Sequence, residues 1–340
     1  MMLWIVLIFL GTSIYLYCLL AGADFGVGVH ELFVKADQRR AHEEIVKDAM
    51  GPVWEANHMW LIIAVVILFV GFPKVYAELS INLHIPITLM LIGIIMRGCA
   101  FAFRHYDAVE DGARKYYSLI FSISSIVTPV ALGIIIGSMM LGNIQPVPDR
   151  YLMTFIYPWL NLYSFAVGLF VLSIFTFMAG TFMIGEKSIG LFKDKYIVRA
   201  RIVHILMIVA GGLVFVTAAI EGFSLMGTFI AHPVSLIAMS LATVSHFFFW
   251  RLLEAGNIWG LRFLAGFQLL MIVIGWMAQI FPGMILYSDG STLSLLTQAA
   301  PDRTIFLLGM ALIIGSILFL PLLGYLFVVF KRVGGQSGNI

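Results

Sequence analysis

Nine stretches of the chain are apolar for long enough to cross a lipid bilayer. They fall at about 3–31, 53–72, 77–103, 117–141, 154–184, 200–223, 233–250, 261–282 and 304–330. A hydrocarbon core of about 30 Å needs about 20 such residues in a helix. The runs are continuously apolar rather than alternating, which predicts helices and not the strands of a transmembrane barrel. The expected fold is all-α: a polytopic membrane protein with about nine transmembrane helices in one integral-membrane domain over residues 1–340. Helices one to four and five to eight are expected as two four-helix bundles, with the ninth peripheral. The fourth and ninth runs are long enough to tilt, and the seventh is short.

The polar breaks carry the remaining pattern. Residues 36–48, ADQRRAHEEIVKD, are polar and compatible with a helix, with Glu43 and Lys47 at i,i+4. A solvated interfacial helix is expected there. Residues 142–153 and 283–303 carry Pro, Gly and Asn and read as turns and loops. The first run follows Met1 without a basic segment, and Asp24 and Glu31 come with no small-residue cleavage pattern. It is therefore expected to be a retained helix rather than a signal peptide.

Composition narrows the class. Hydrophobic residues make up 61% and charged residues 11%, against about 25% charged in soluble domains. The net charge of +2 leaves no basic face for nucleic acid. Cys18 and Cys99 stand in apolar runs without a CxxC motif and read as small core residues. Of the 20 lysines and arginines, all but Lys74, Arg150 and Arg303 follow an odd-numbered run. The positive-inside bias then predicts the N-terminus outside and the C-terminus in the cytoplasm.

Ionisable residues inside apolar spans are costly and face a bundle interior, where they often serve transport. Four places qualify. Gly22-Ala23-Asp24-Phe25-Gly26-Val27-Gly28 closes the first run, with Glu31 seven residues later on the same face as Asp24. Gly26 and Gly28 permit close helix packing. In Gly51-Pro52-Val53-Trp54-Glu55-Ala56-Asn57-His58-Met59-Trp60, Pro52 suits a first helical turn. Glu55 there would be stabilised by the helix dipole, or would have its pKa raised by an apolar surround of Trp54 and Trp60 and so handle protons. Asn57 and His58 add hydrogen-bonding groups. Arg97 and Arg104 close the third run. Arg97 is expected to pair with Asp24 or Glu55, whereas Arg104 could instead reach lipid phosphate. Glu221 and Glu254 lie near predicted span ends and read as interfacial charges.

Candidate metal chemistry is weak. Eight histidines are present, but no helix carries two at a helical repeat, and CxxCH and HExxH are absent. No haem or metal ligated by this chain is expected. The phosphate loop of an ATPase is absent as well.

The two glycine- and tryptophan-bearing motifs resemble subunit II of the cytochrome bd quinol oxidases. The matching residues are Asp24, Gly26, Val27 and Gly28, then Pro52, Trp54, Glu55, Asn57, Trp60 and Leu61. FPKVYA at 72–77, RGCAFAFRH at the end of the third run, Phe281-Pro282 and LPLLGYLFVVFKR at 320–332 extend the likeness. It is most specific in the first 105 residues.

The resemblance implies a non-haem subunit of a bacterial respiratory terminal oxidase that oxidises quinol and reduces dioxygen to water. Haems b and d would belong to subunit I, the heterodimeric partner. This chain would scaffold that partner in the inner membrane and help to bring cytoplasmic protons to the haems. The resemblance also allows a structural quinone and a small accessory subunit. Asp24, Glu31, Glu55, Asn57, His58, Arg97 and Arg104 are the proton-path or interface candidates, and Gly26, Gly28, Pro52, Trp54 and Trp60 the packing residues of the motifs. The chain departs from the family at Ala21 and Ala102, where carboxylates are common, and at His58, where glutamine is common. The alternative is a standalone proton-coupled secondary transporter, which predicts inverted repeats and helices broken at mid-membrane.

Overall fold

The computed structural model describes residues 1–51, 54–106, 111–147 and 150–336, and leaves aside the side chains of some helical residues, Glu55 and His105 among them. The chain is built of helices α1 (Met2–Glu31), α2 (Arg39–Met50), α3 (Trp54–Gly71), α4 (Pro73–Asn82), α5 (His84–Tyr106), α6 (Asp111–Leu141), α7 (Tyr151–Phe155), α8 (Leu162–Ile184), α9 (Lys193–Ile220), α10 (Leu225–Ala231), α11 (Pro233–Glu254), α12 (Ile258–Ile280) and α13 (Asp302–Gln336). Two short strands, β1 (Gly283–Leu286) and β2 (Thr292–Ser294), form an antiparallel hairpin. Within a bilayer the backbone must satisfy its own hydrogen bonds, which is why these apolar runs are helical.

Among the described residues, eight helices are long and apolar enough to cross a membrane. A ninth crossing is reached if α3 and α4, bent by 114° at Phe72, count as one span. Four local features move boundaries that hydrophobicity alone had set. Pro73 opens α4 as a separate helix, so the third span begins at His84 and not near residue 77. The fifth begins at Leu162 rather than 154, because Asn161 caps α8 by accepting the Ser164 amide at 2.8 Å. The sixth starts earlier than expected, at Lys193. Residues 283–294, expected as loop, form the hairpin, which turns through Gly290 at φ 81°.

Packing runs from α5 to α6 to α8 to α9, with α11 against α12, while α1 lies on α3, α6 and α8. α13 rests on α1 and α3. Small residues set the closest approach. A Cβ on Gly133 of α6 would lie 2.5 Å from Gly168 Cα of α8, and one on Gly26 of α1 would run into the Phe175 carbonyl of α8. One hydrophobic core surrounds the last turns of α1, with Phe25, Phe121, Phe175 and Tyr196 buried in it. A second lies beneath the hairpin at the opposite end of α1, joining Val6, Leu10, Phe72, Ile285 and Leu293. Cys18 is buried, but Cys99, expected in the core, is exposed, because it occupies the outward face of α5.

Candidate functional site: a ladder of buried ion pairs

The last eleven residues of α1, Ala21 to Glu31, are all buried. Asp24 and Glu31 are two turns apart on one face, about 10 Å along the axis at the 1.5 Å rise of a helix. Arg97 and Arg104 repeat that spacing on α5, and both pairs join residues 73 apart in sequence. The two helices therefore run parallel here, and their side chains meet as rungs.

The first rung is bidentate. Arg97 Nη1 lies 2.8 Å from Asp24 Oδ2, and Arg97 Nη2 donates to Asp24 Oδ1 at 2.8 Å and to the Asp24 carbonyl at 2.8 Å. Arg97 Nε donates to Ser125 Oγ of α6 at 3.3 Å. In the second rung, Arg104 Nη1 donates to Glu31 Oε1 and Oε2 at 2.8 and 2.9 Å. Arg104 is buried and does not reach out to lipid phosphate, the reading its place near a span end had left open. Phe121 stands between the rungs, its ring centroid 4.7 Å from Arg97 Cζ and 4.3 Å from Arg104 Cζ. Phe25 flanks Arg97 from the other side. Forked guanidinium–carboxylate bonds and aromatic faces are what hold a buried arginine.

A third carboxylate joins from an unexpected element. Glu43 of α2 is buried; its Oε1 accepts from Ser118 Oγ at 2.6 Å and its Oε2 from Arg114 Nε at 2.9 Å. Arg104 Nη1 is 3.9 Å from Glu43 Oε1. The expected solvated helix with a Glu43–Lys47 pair is thus corrected. His42, Glu43, Val46 and Met50 form a buried stripe along α2, while Lys47 points to solvent. Next to Glu43, His42 Nε2 is hydrogen-bonded to the Tyr196 hydroxyl at 2.7 Å. Burial, and then the charges of Arg199, His30 and Arg104, push the His42 pKa down to about 3, so the imidazole is neutral.

The second motif is only partly described. Pro52 lies outside the described residues, as does the Glu55 side chain. Asn57 is buried. Trp54 packs on Phe101 with ring centroids 5.6 Å apart. His58 lies among Tyr17, Phe25 and Trp54. Trp60 packs against the same core. Gly26 and Gly28 sit against Phe175 and Ser125. Ala21 is buried and Ala102 half-buried, so neither position carries charge into the ladder.

Other polar groups lie elsewhere. Glu221 accepts the Leu162 amide at 3.0 Å, at the far end of α9, beside an open cleft of about 600 Å³ lined by Asn143, Gln145, Tyr157, Asn161 and Ser288. Glu254 is exposed. A cluster that sequence spacing did not reveal joins α9, α11 and α12: His204 Nε2 is 2.8 Å from His246 Nδ1, which is 3.2 Å from Gln268 Nε2. Its members stand on three helices, so no repeat within one helix could signal it. No group of three or more His, Cys, Asp or Glu side chains that could hold a metal ion occurs among the described residues.

Comparison with known proteins adds to this geometry. A family profile described as "Cytochrome bd terminal oxidase subunit II" matches residues 2–330. The chain is 28% identical over 176 residues to the cytochrome bd ubiquinol oxidase subunit 2 of Bacillus subtilis, covering 50% of this chain and 49% of that protein. It is 28% identical over 121 residues to the cytochrome bd-I ubiquinol oxidase subunit 2 of Escherichia coli strain K12, covering 36% and 31%. The chain thus spans about half the length, or less, of these curated relatives. The bd oxidase structure from Geobacillus thermodenitrificans contains a chain of similar fold, with a TM-score of 0.78 at 18% identity, covering 97% of this chain and 98% of that one.

Proposed function

The chain belongs to the cytochrome bd terminal oxidase subunit II family, and on that premise we propose that it is the non-haem subunit of a quinol-oxidising, dioxygen-reducing complex of the bacterial inner membrane. Its partner is a haem-bearing subunit I, whose haems supply the reduction of dioxygen. This chain scaffolds that partner and delivers protons to it from the cytoplasmic side. The N-terminus is outside and the C-terminus inside.

The pair of facing histidines, His204 and His246, does not fit a haem held between two imidazoles. Two axial nitrogens on one metal stand about 4 Å apart, given metal–nitrogen bonds of about 2 Å. His204 and His246 touch at 2.8 Å.

The ladder of buried carboxylates is the observation that supports proton delivery. Asp24 and Glu31 sit on one face of α1, each neutralised by an arginine that cannot deprotonate. The guanidinium beside each carboxylate supplies a fixed counter-charge in an otherwise buried setting. The guanidinium remains to balance any neighbour that ionises. Glu55, in the first turn of α3, is the further candidate carboxylate, its motif tryptophans packing against the same core as the ladder. Asn57 and His58 add groups capable of hydrogen bonding to that motif, and Arg97 and Arg104 set the field along the route.

Oxygen consumption and membrane potential of the reconstituted complex test this reading. Asp24→Asn and Glu55→Gln are expected to lower turnover by at least about tenfold at unchanged haem content, from the usual worth of a positioned proton-transfer group. Full turnover and full potential in both variants would place the path elsewhere. Lipid extraction from the same preparation reads out a structural quinone, and its protein bands a small accessory subunit.

A further inference from the structure

Helix α2 brings one carboxylate into the ladder and leaves the next in water. Glu43 is 2% exposed, whereas Glu44 faces solvent. Four groups from three other helices surround Glu43: Arg104 of α5, Arg114 and Ser118 of α6, and Glu31 of α1, which shares the Arg104 guanidinium. On α2 itself Arg39 lies one turn earlier, and the adjacent His42 is engaged by Tyr196 of α9, with Arg199 nearby. Arg114 is the member of this group that opens to water, its side chain 26% exposed against 3% for Glu43 and 0% for Arg104.

We infer that Glu43 is the proton-loading carboxylate of this chain, taking protons from water beside Arg114 and passing them to Glu31 across Arg104. The inference rests on the proton-delivery reading above and adds to it the residue at which entry occurs. In the first step the Glu43 carboxylate takes a proton from hydronium and leaves water. In the second, the protonated Glu43 gives that proton to a Glu31 oxygen and is again a carboxylate. Arg104 holds its charge throughout and contacts both acids, so whichever is ionised keeps its counter-charge. With both acids ionised, Glu31 and Glu43 face the charges of Arg104, Arg114 and Arg39. An added proton increases an existing excess of positive charge, which favours passage over storage.

The test uses the whole complex in proteoliposomes, with quinol-driven oxygen consumption and proton uptake recorded across pH. Glu43→Gln keeps the size of the side chain and an acceptor for Ser118 but cannot titrate. It is expected to lower turnover and proton uptake by at least about tenfold with normal haem content. Glu43→Asp is expected to restore most of the rate with a shifted pH profile, and Glu44→Gln to match the wild type. If Glu43→Gln turns over and takes up protons at the wild-type rate while Asp24→Asn is slow, Glu43 is not the entry and proton delivery stands. If both are fast, the delivery reading fails as well. Should Glu43→Gln not assemble, Glu43→Asp decides: a wild-type pH profile overturns the inference.

Discussion

At the scale of single residues, the protein is organised around charges that would be intolerable alone. Breaking a buried ion pair from one side leaves an uncompensated charge at a cost of about 3–5 kcal/mol. Arg97→Gln is therefore expected to reduce the yield of folded complex, measured by in-membrane fluorescence size exclusion, more than Asp24→Asn, since it removes at once the contacts to Asp24, Ser125 and the rings of Phe25 and Phe121, whereas asparagine keeps an acceptor for Arg97. Arg97→Lys should not fully rescue it, because a lysine cannot reproduce the fork onto Asp24 and the bond to Ser125. His42 gives a pH signature. Its folded pKa, near 3, lies below the ordinary value of 6.5, so the unfolded chain binds the proton more readily. Stability from this group is complete above about pH 6.5 and is lost as pH falls toward 3. The unfolding temperature should drop less steeply over that window in His42→Gln, a difference that a thermal scan at stepped pH would show. Asp24 and Arg97 could be read from the sequence because a charge within an apolar run needs a partner. Glu43 could not, because a solvated amphipathic helix and one clasped by neighbouring helices have the same pattern of polar positions.

At the scale of elements, hydrophobic runs located the spans but not their ends. The ends depend on local chemistry that a hydropathy window averages away: Pro73 at the start of α4, Asn161 capping α8, and Asn257 capping α12 by accepting the Gly260 amide at 3.0 Å. The hairpin escaped notice because its strands have only four and three residues, too few for alternation to stand out. One tight seam is the crossing of α6 and α8, where Gly133 and Gly168 bring two backbones together. Gly133→Leu should force these helices apart and sharply lower accumulation in the membrane, as measured by immunoblot of the membrane fraction. Gly212, which meets nothing within 4 Å, should accept alanine at near wild-type abundance.

At the scale of the whole molecule, one end holds the ion-pair ladder and the other the hairpin and the Glu221 cleft. On the proposed topology these ends face opposite sides of the membrane. A cysteine placed at Asp289 in the hairpin turn should react with a membrane-impermeant maleimide from outside the cell, and one at Glu44 only after the membrane is opened. The reverse pattern would invert the topology and move the proposed proton entry to the wrong side. If this chain works as the haem-free half of an oxidase, a mild-detergent pull-down of the chain with a visible absorption spectrum of the eluate will reveal it at once. A second large membrane subunit carrying haem bands is expected to co-elute, with no haem in this chain once separated. A lone, colourless and stable monomer would contradict it.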